Sequence, residues 1–306
     1  MKTCSAILLA AGSSRRLGFD KILTPLAGRP VLCYSLQALK ESPSILEIIL
    51  VTREDIRDRV GELVRETPGD NPVHVILGGV ERQDSVFEGL RKISDGTGEV
   101  LIHDAARPLL AEDLIEGVLS MAREKGAAVT AHRASDTLKQ ADEQARVLQT
   151  LDRSNIWAMG TPQVFRRDLI CEAYAKVQAA GVPVTDDAAA VERLGHPVYL
   201  AESGRLNLKI TRPSDWEILE LWLKRERGGE IRGMIHRLSN QLSPLIGYLP
   251  LLEKYGGENP RFADYLEKMK QSSDILQNMV YELQAVARDI FPDGPSNKPG
   301  REKNPD

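Results

Sequence analysis

The sequence has few cysteines, no excess of positive charge and no long apolar run, and each of these shortages excludes a class of protein. Cys4, Cys33 and Cys171 are the only cysteines in 306 residues, so they predict no disulfide framework and no cysteine-rich metal site, which fits a reducing cytoplasm. A net charge of −4 argues against general nucleic-acid binding. The run from Ile7 to Ala11 is too short to span a membrane. We therefore expect a cytoplasmic protein without nucleic-acid or membrane partners.

What the N-terminal segment does contain is a strand, a loop of small residues and a cluster of cations. The apolar residues 6–10 stop abruptly at Ala11 and Gly12, where small side chains leave backbone amides free to donate to phosphate oxygens. Arg16 and Lys21 follow and would add positive charge to the same oxygens. The spacing matches neither a Walker A loop nor the dinucleotide-binding pattern. The segment indicates either a nucleoside triphosphate site or a tight turn followed by solvated cations.

Strand-like and helix-like segments alternate along the chain up to residue 132. The periodicity predicts strands at 6–9, 45–51, 74–77, 99–103 and 127–132, and helices at 31–40, 56–66, 85–93 and 112–125. Strands separated by helical patterns predict βαβ units and an α/β fold with a mainly parallel sheet. Because such sheets bind ligands beyond the carboxyl ends of their strands, we expect functional residues directly after strands.

The residues after two of these strands have the chemistry that a phosphate site needs. Gly79 permits close approach of the backbone, Arg82 can face an anion, and Ser85 can cap the following helix. Asp104 ends a buried strand and is well placed to hold Mg²⁺ on a phosphate, because Mg²⁺ usually takes one or two carboxylates plus substrate oxygens. The alternatives are an ordinary Gly-Gly turn at the first position and an Asp104–Arg107 ion pair at the second.

Eight short motifs follow one another in a characteristic order: AAGSSRR, GGVERQDSV, IHDAARP, DTLK, LDR, TPQ, TDDAAAVE and NLKITRP. In these motifs the sequence resembles the 2-C-methyl-D-erythritol 4-phosphate cytidylyltransferases, which are Rossmann-like sugar-phosphate nucleotidyltransferases, from about residue 5 to residue 223. The resemblance implies that CMP is transferred from CTP to this polyol phosphate, with Mg²⁺ as cofactor and a homodimer as the working unit. Another acceptor, such as ribitol 5-phosphate, stays open.

The resemblance also implies a role for individual residues. The catalytic residues that it implies are Arg16, Lys21 and Lys209. The nucleotide-binding residues are Ala10, Ala11, Gly12, Gly79 and Ser85. The acceptor-binding residues are Asp104, Arg107, Thr137, Arg153 and Thr185, with Asp104 also as the metal ligand. Because the acceptor phosphate is already ionised, we expect positioning and electrostatics to carry catalysis.

Residues 134–147 form a polar excursion between strand-like ends. The pattern predicts a hairpin arm, or else a mobile surface hairpin. The resemblance implies that the arm serves in dimerisation and lends Thr137 to the active site of the partner subunit.

The chain changes character after residue 225. Apolar residues recur at alternating spacings of four and three from Ile231 to Leu252 and again from Phe262 to Ile290. Two such seams joined by a turn predict an antiparallel helical hairpin over 230–291, which would pair with a second hairpin into a four-helix bundle. The sequence thus predicts a nucleotidyltransferase domain at 1–225, a dimerisation hairpin, and a disordered tail at 292–306, which is rich in proline and poor in apolar residues.

The first hairpin helix resembles the dimerisation and phosphoacceptor domain of sensor histidine kinases around His236. The resemblance implies His236 as a candidate phosphoacceptor and a response-regulator-like protein as a partner, with dimerisation alone as the alternative. A second hypothesis for the whole chain is an inactive signalling or scaffold protein that acts through this hairpin.

Overall fold

The computed structural model describes residues 3–12, 18–204, 206–226, 267–271, 273–274, 276 and 278. It divides the chain into two compact units, Met1–Glu217 and Ile218–Asp306. The described residues of the second unit are helical. Most of the predicted hairpin, its candidate phosphoacceptor His236 and the tail lie outside the described residues. The hairpin, the role of His236 and the disordered tail therefore stay predictions. In the part of the chain that is described, no helix is long and apolar enough to cross a membrane.

The first unit contains eleven strands and six α-helices up to residue 202, and the described residues 213–217 at its end are also helical. The strands are β1 (Cys4–Leu9), β2 (Pro25–Leu26), β3 (Arg29–Pro30), β4 (Ile45–Thr52), β5 (Val73–Leu77), β6 (Glu99–Asp104), β7 (Ala127–Arg133), β8 (Lys139–Ala141), β9 (Val147–Thr150), β10 (Trp157–Arg166) and β11 (Tyr199–Glu202). The helices are α1 (Val31–Glu41), α2 (Arg57–Glu66), α3 (Arg82–Leu90), α4 (Glu112–Lys125), α5 (Arg167–Ala180) and α6 (Asp187–Glu192).

Seven strands form one central sheet in the order β11-β7-β10-β6-β1-β4-β5. Strand β1 pairs in parallel with β4 and β6, β4 with β5, and β7 with β11. Strand β10 alone in this sheet runs antiparallel, between β6 and β7. The predicted α/β fold with a mainly parallel sheet is therefore confirmed, and the carboxyl ends of β1, β4 and β6 meet at one edge.

Two apolar layers cover the two faces of the sheet. Alternate residues of β1 point to opposite faces, so that Leu8 joins one core cluster and Ile7 the other. Helices α1, α2 and α4 contribute buried residues to the Leu8 layer, and α3, α5 and α6 to the Ile7 layer. Every residue of β1 is buried, as expected for a strand covered by helices on both sides. The core thus fixes the sheet edge from which the loops project.

Helix α3 begins earlier than the sequence predicted. Its first residue is Arg82, and the Asp84 carboxylate accepts a hydrogen bond from the backbone N–H of Glu81 at 3.1 Å. Ser85 consequently lies inside the first turns of the helix, and its prediction as the N-cap is wrong. Glu81 and Asp84 form a capping box at the start of the helix, in which their carboxylates accept hydrogen bonds from backbone N–H groups. This is the role that was expected of the serine.

The arm between β7 and β10 contains an antiparallel hairpin, formed by β8 and β9. Its second strand ends at Thr150, three residues beyond the predicted segment. Val147 and Leu148 are 56% and 54% exposed. The arm therefore presents apolar side chains away from the core of its own unit.

Candidate active site

The candidate site is a cleft of ≈ 350 Å³ in the first unit. It opens where β1 and β6 end and α3 begins, which is the edge at which parallel sheets bind ligands. Its lining residues are Leu9, Ala11, Gly12, Lys21, Ile22, Gly79, Val80, Glu81, Arg82, Ser85, Asp104, Ala106 and Lys209. The fold therefore brings together seven of the residues implied by the sequence: Ala11, Gly12, Lys21, Gly79, Ser85, Asp104 and Lys209.

The loop after β1 forms one wall of the cleft. Ala10 is fully buried and donates its backbone N–H to the Val51 carbonyl at 2.7 Å, which holds the loop to β4. Among the described residues, no atom lies within 4 Å of a Cβ placed on Gly12, so no described side chain fills the space beside this backbone. Arg16 belongs to segment 13–17, which lies outside the described residues, so its role stays a prediction.

Lys21 reaches the cleft from the end of this loop. Its Nζ donates to the Ile210 carbonyl at 2.9 Å, which links the loop to the segment that carries Lys209. The preceding Asp20 forms an ion pair with Arg53 and accepts from the backbone N–H of Ile22 at 3.0 Å. The negative charge next to Lys21 in the sequence is thus neutralised by Arg53.

The segment after β5 forms a second wall. A Cβ on Gly79 would collide with the Cβ of Asp84, so packing against the start of α3 requires glycine here. Ser85 is buried, and its hydroxyl donates to the Glu81 carbonyl at 3.2 Å. Both residues fix the backbone of this wall close to the cleft.

Asp104 is the buried carboxylate of the cleft, with 7% of its surface exposed. It accepts from Lys209 Nζ at 2.6 Å and from Arg82 Nε at 3.3 Å. Burial alone would raise the pKa of Asp104, but Arg82 and Lys209 hold that pKa well below its usual range. Asp104 is therefore ionised at neutral pH, and it lies between two cations.

Arg107 does not form the ion pair with Asp104 that was one alternative from the sequence. Its Nη1 donates to the Asn207 carbonyl at 2.6 Å, and no ion pair joins it to Asp104 among the described residues. Asn207 in turn donates its side-chain amide to the Thr161 carbonyl at 2.8 Å. Arg107 thus holds segment 206–210, and with it Lys209, beside the end of β6.

His103 supports the same strand end from inside the protein. Its Nε2 lies 3.1 Å from the Arg107 carbonyl and its Nδ1 lies 3.1 Å from the Thr161 hydroxyl. Because a carbonyl only accepts, Nε2 carries the proton and Nδ1 accepts from the threonine. Burial lowers the pKa of His103 to about 4. The imidazole is consequently neutral at pH 7 and acts as a fixed hydrogen-bonding group.

Three contacts link the cleft to residues that the sequence did not single out. Arg82 donates to both carboxylate oxygens of Asp187, at 3.0 and 2.8 Å, and the Tyr174 hydroxyl donates to the same carboxylate at 2.6 Å. Asp187 stands in the TDDAAAVE motif, which was a signal for its importance but not for its contact. Tyr174 carried no signal beyond its place in a helical pattern.

The remaining acceptor-binding residues implied by the sequence do not line the cleft of their own chain. Thr137, Arg153 and Thr185 are exposed. Arg153 donates to the Ser135 carbonyl, which places it beside Thr137 at the base of the arm. The structure thus places Thr137 and Arg153 at the arm, apart from the residues that line the cleft.

The donor set of the cleft fits a metal that is held mainly by substrate. No cluster of three or more potential metal-ligating side chains occurs within the described ranges. The ionised Asp104 is one carboxylate among cations, and Mg²⁺ on a nucleotide needs only one or two carboxylates plus phosphate oxygens. Asp104 is therefore a suitable Mg²⁺ ligand once a triphosphate supplies the other oxygens.

Comparison with known proteins gives a consistent result. The profile of the family "2-C-methyl-D-erythritol 4-phosphate cytidylyltransferase" (IspD) matches residues 4–225. The protein of that name from Dehalococcoides mccartyi (strain CBDB1) is 42% identical over 223 residues, which are 72% of this chain and 96% of the relative. The one from Alkaliphilus oremlandii (strain OhILAs) is 38% identical over 228 residues, 74% of this chain and 97% of the relative.

A solved structure shows the same similarity in three dimensions. The crystal structure of 4-diphosphocytidyl-2C-methyl-D-erythritol synthase from Anaerococcus prevotii DSM 20548 superposes with a TM-score of 0.65 at 32% sequence identity. The match covers 73% of this chain and 99% of that one.

Proposed function

The chain belongs to the 2-C-methyl-D-erythritol 4-phosphate cytidylyltransferase family, and we propose that its cleft is the place where it transfers CMP from CTP to 2-C-methyl-D-erythritol 4-phosphate and releases pyrophosphate. The observation that carries this assignment is the buried, ionised Asp104 between Lys209 and Arg82, in a cleft that the glycine loop after β1 also lines. Such a group of fixed charges suits the transfer of a charged phosphoryl unit.

The reaction that we assign to this cleft is a direct displacement. An oxygen of the acceptor's phosphate attacks the α-phosphorus of CTP, and the bond from that phosphorus to the pyrophosphate oxygen breaks. Arg16 and Lys21 stabilise the charge that develops on the triphosphate, and Lys209 holds the phosphate oxygens near Asp104. Because the attacking oxygen is already ionised, no side chain has to remove a proton, and catalysis comes from positioning and electrostatics.

The nucleotide lies, in this proposal, between the two walls of the cleft. Ala10, Ala11 and Gly12 present the backbone of the first wall, and Gly79 with Ser85 fixes the second. The free space beside Gly12 and the tight packing of Gly79 against Asp84 support this arrangement, since both keep side chains from filling the gap between the walls.

We assign Mg²⁺ to Asp104. When bound to the triphosphate, the cation neutralises phosphate charge and favours one orientation of the phosphates. The low pKa of Asp104 supports this role, since a metal ligand must be deprotonated.

The acceptor side of the site comes in part from a second protomer in this proposal. Thr137 and Arg153 lie exposed at the base of the arm and outside the cleft of their own chain, and the arm carries the exposed Val147 and Leu148. A homodimer that covers these apolar side chains would bring the arm to the partner's cleft, where Arg107 and Thr185 complete the acceptor site. The cytoplasm is the compartment that we propose for this enzyme.

For the remainder of the chain we propose a division at about residue 225, with 230–291 as a pairing hairpin and 292–306 as a disordered tail. Phosphorylation of His236 and docking of a response-regulator-like protein form the alternative for this segment. The apolar seams in the sequence support pairing.

One assay tests the proposed function. Pyrophosphate release is measured with each nucleoside triphosphate in the presence of 2-C-methyl-D-erythritol 4-phosphate or ribitol 5-phosphate, with Asp104→Asn as the control. We expect turnover with CTP and the methylerythritol substrate and little in the variant. Preference for ribitol 5-phosphate would replace the acceptor, and absence of turnover with every pair would favour the scaffold hypothesis.

A further inference from the structure

Among the described residues that line the cleft, Arg82 is the one that forms hydrogen bonds to the buried carboxylate of Asp187. We propose that Asp187 is a positioning residue, which holds the Arg82 guanidinium at a fixed distance from Asp104 and so keeps Asp104 available to Lys209 and to the substrate. This inference rests on the proposed function, because it concerns the same cleft and the same reaction.

The geometry of the contact is that of a preorganised pair. Asp187 is 0% exposed, and its two oxygens accept from Nη1 and Nη2 of Arg82 at 3.0 and 2.8 Å. The Tyr174 hydroxyl donates to the same carboxylate at 2.6 Å. A bidentate pair between a planar guanidinium and a carboxylate fixes both groups in orientation as well as in distance.

In this arrangement the Nε–H of Arg82 is the donor that faces Asp104. Its Nε lies 3.3 Å from Asp104 Oδ1, whereas Lys209 Nζ lies 2.6 Å from Oδ2. Without Asp187, the flexible guanidinium would be free to turn its two-pronged end to Asp104 and occupy both oxygens. Asp104 would then be less available to Lys209 and to a substrate-bound cation, although every residue of the cleft would still be present.

The charge states of Arg82 and Tyr174 fit this role. Burial alone would lower the pKa of Arg82, but Asp187 and Asp104 raise it far above its usual value, so the guanidinium stays charged. Burial and the negative charge of Asp187 raise the pKa of Tyr174 well above its usual range. The tyrosine hydroxyl therefore keeps its proton and remains a donor to Asp187 at any pH at which the enzyme is assayed.

Among the described residues, the neighbouring Asp186 forms its hydrogen bonds with structural groups only, so it provides a matched control for the substitution of Asp187. Its carboxylate accepts from the Ala189 backbone N–H at 2.9 Å and from Gln163 at 3.1 Å, so it caps α6. Asp186→Asn keeps an oxygen for the N-cap bond. Asp187→Asn makes the same chemical change one residue away but removes one of the two acceptors that Arg82 uses.

The test is a double-mutant cycle on kcat, measured by pyrophosphate release from CTP with the methylerythritol substrate. Asp187→Asn should lower kcat by roughly 10–100-fold, the usual cost of removing a group that orients a catalytic residue, while the KM for CTP changes little. Arg82→Gln should also lower kcat, and adding Asp187→Asn to it should lower kcat no further, because the carboxylate acts through the guanidinium. Asp186→Asn should have a kcat near that of the wild type.

A second variant covers the case in which Asp187→Asn does not fold, as circular dichroism would show. Tyr174→Phe keeps the buried ring and removes only the hydroxyl that steadies Asp187, so it should lower kcat several-fold in the wild type and not in Arg82→Gln. The proposal would be overturned if the loss of kcat in a double variant equalled the product of the losses in the two single variants. A normal kcat in the folded Asp187 and Tyr174 variants would overturn it as well. A wild-type protein without any turnover would instead overturn the proposed function.

Discussion

Replacing Lys21 with methionine should separate two roles of its ammonium group, one in catalysis and one in folding. Methionine keeps the apolar stem and removes the charge together with the hydrogen bond from Nζ to the Ile210 carbonyl at 2.9 Å. A hydrogen bond from a charged donor contributes on the order of 1.5–3 kcal/mol to stability. Loss of a preorganised charge that acts on the transition state costs on the order of 2.7–4 kcal/mol, or roughly 10²–10³ in kcat.

Lys40 provides a matched control for the effect of the lost hydrogen bond on stability. Lys40, at the end of α1, donates its Nζ to the carbonyls of Val64 and Thr67, and it does not line the cleft. Lys40→Met thus removes the same kind of bond far from the proposed chemistry. Both variants should lower the thermal unfolding temperature, but only Lys21→Met should lower kcat.

The measurements are pyrophosphate release at saturating CTP and acceptor, and thermal unfolding followed by circular dichroism. A Lys21→Met enzyme with near-normal kcat would refute the assignment of this ammonium to the triphosphate. Equal losses of kcat in the two variants would show that the effect reflects stability and not charge in the cleft.

Three further predictions follow from the site and the sequence. Arg153→Ala should raise the KM for the acceptor with little change in the KM for CTP, and the opposite pattern in initial-rate kinetics would place Arg153 on the nucleotide side. The free energy of unfolding should fall by on the order of 3 kcal/mol between pH 6.5 and pH 4, because the unfolded His103 takes up a proton that its folded pKa of about 4 resists; denaturant titrations should show a smaller loss in His103→Gln. Below about pH 4 the lowered pKa of Asp104 should add to the loss, since its ionised form is the one that the fold favours. The fragment 1–225 should still dimerise through its arm and turn over CTP, and complete loss of activity would show that the hairpin belongs to the catalytic unit.

Local pattern was sufficient to predict five of the parallel strands, β1, β4, β5, β6 and β7, but not β11, which pairs in parallel with β7. Helix α4 has the predicted bounds, Glu112–Lys125, because its apolar spacing, its acidic first turn and the glycine after its end all agree. Strand β10 was not predicted. Gly160 and Pro162 interrupt its alternation, and its pairing with β7 is irregular between Met159 and Gln163, so no period-2 signal extends along it.

The candidate site divides in the same way. Residues at or just after the ends of strands, such as Asp104 and Gly12, were predicted from position and chemistry, and the structure places both in the cleft. Asp187 is 105 residues from Arg82 in the sequence, and their contact depends on how α5 and α6 pack on the sheet. No local pattern encodes such a pair, which is why sequence reasoning identified Arg82 as facing an anion but not which anion.

The antiparallel strand has a consequence for synthesis on the ribosome. Strand β10 lies between β6 and β7 although it follows both in the chain, so until residue 166 is made their facing edges lack the N–H and C=O partners of the finished sheet. Translation at roughly 5–20 residues per second separates the two cleft residues Asp104 and Lys209, 105 residues apart, by about 5–20 s. A nascent chain that stalls between residues 133 and 166 would display two open strand edges, and we expect it to be lost to aggregation or proteolysis rather than to accumulate as a partly active enzyme.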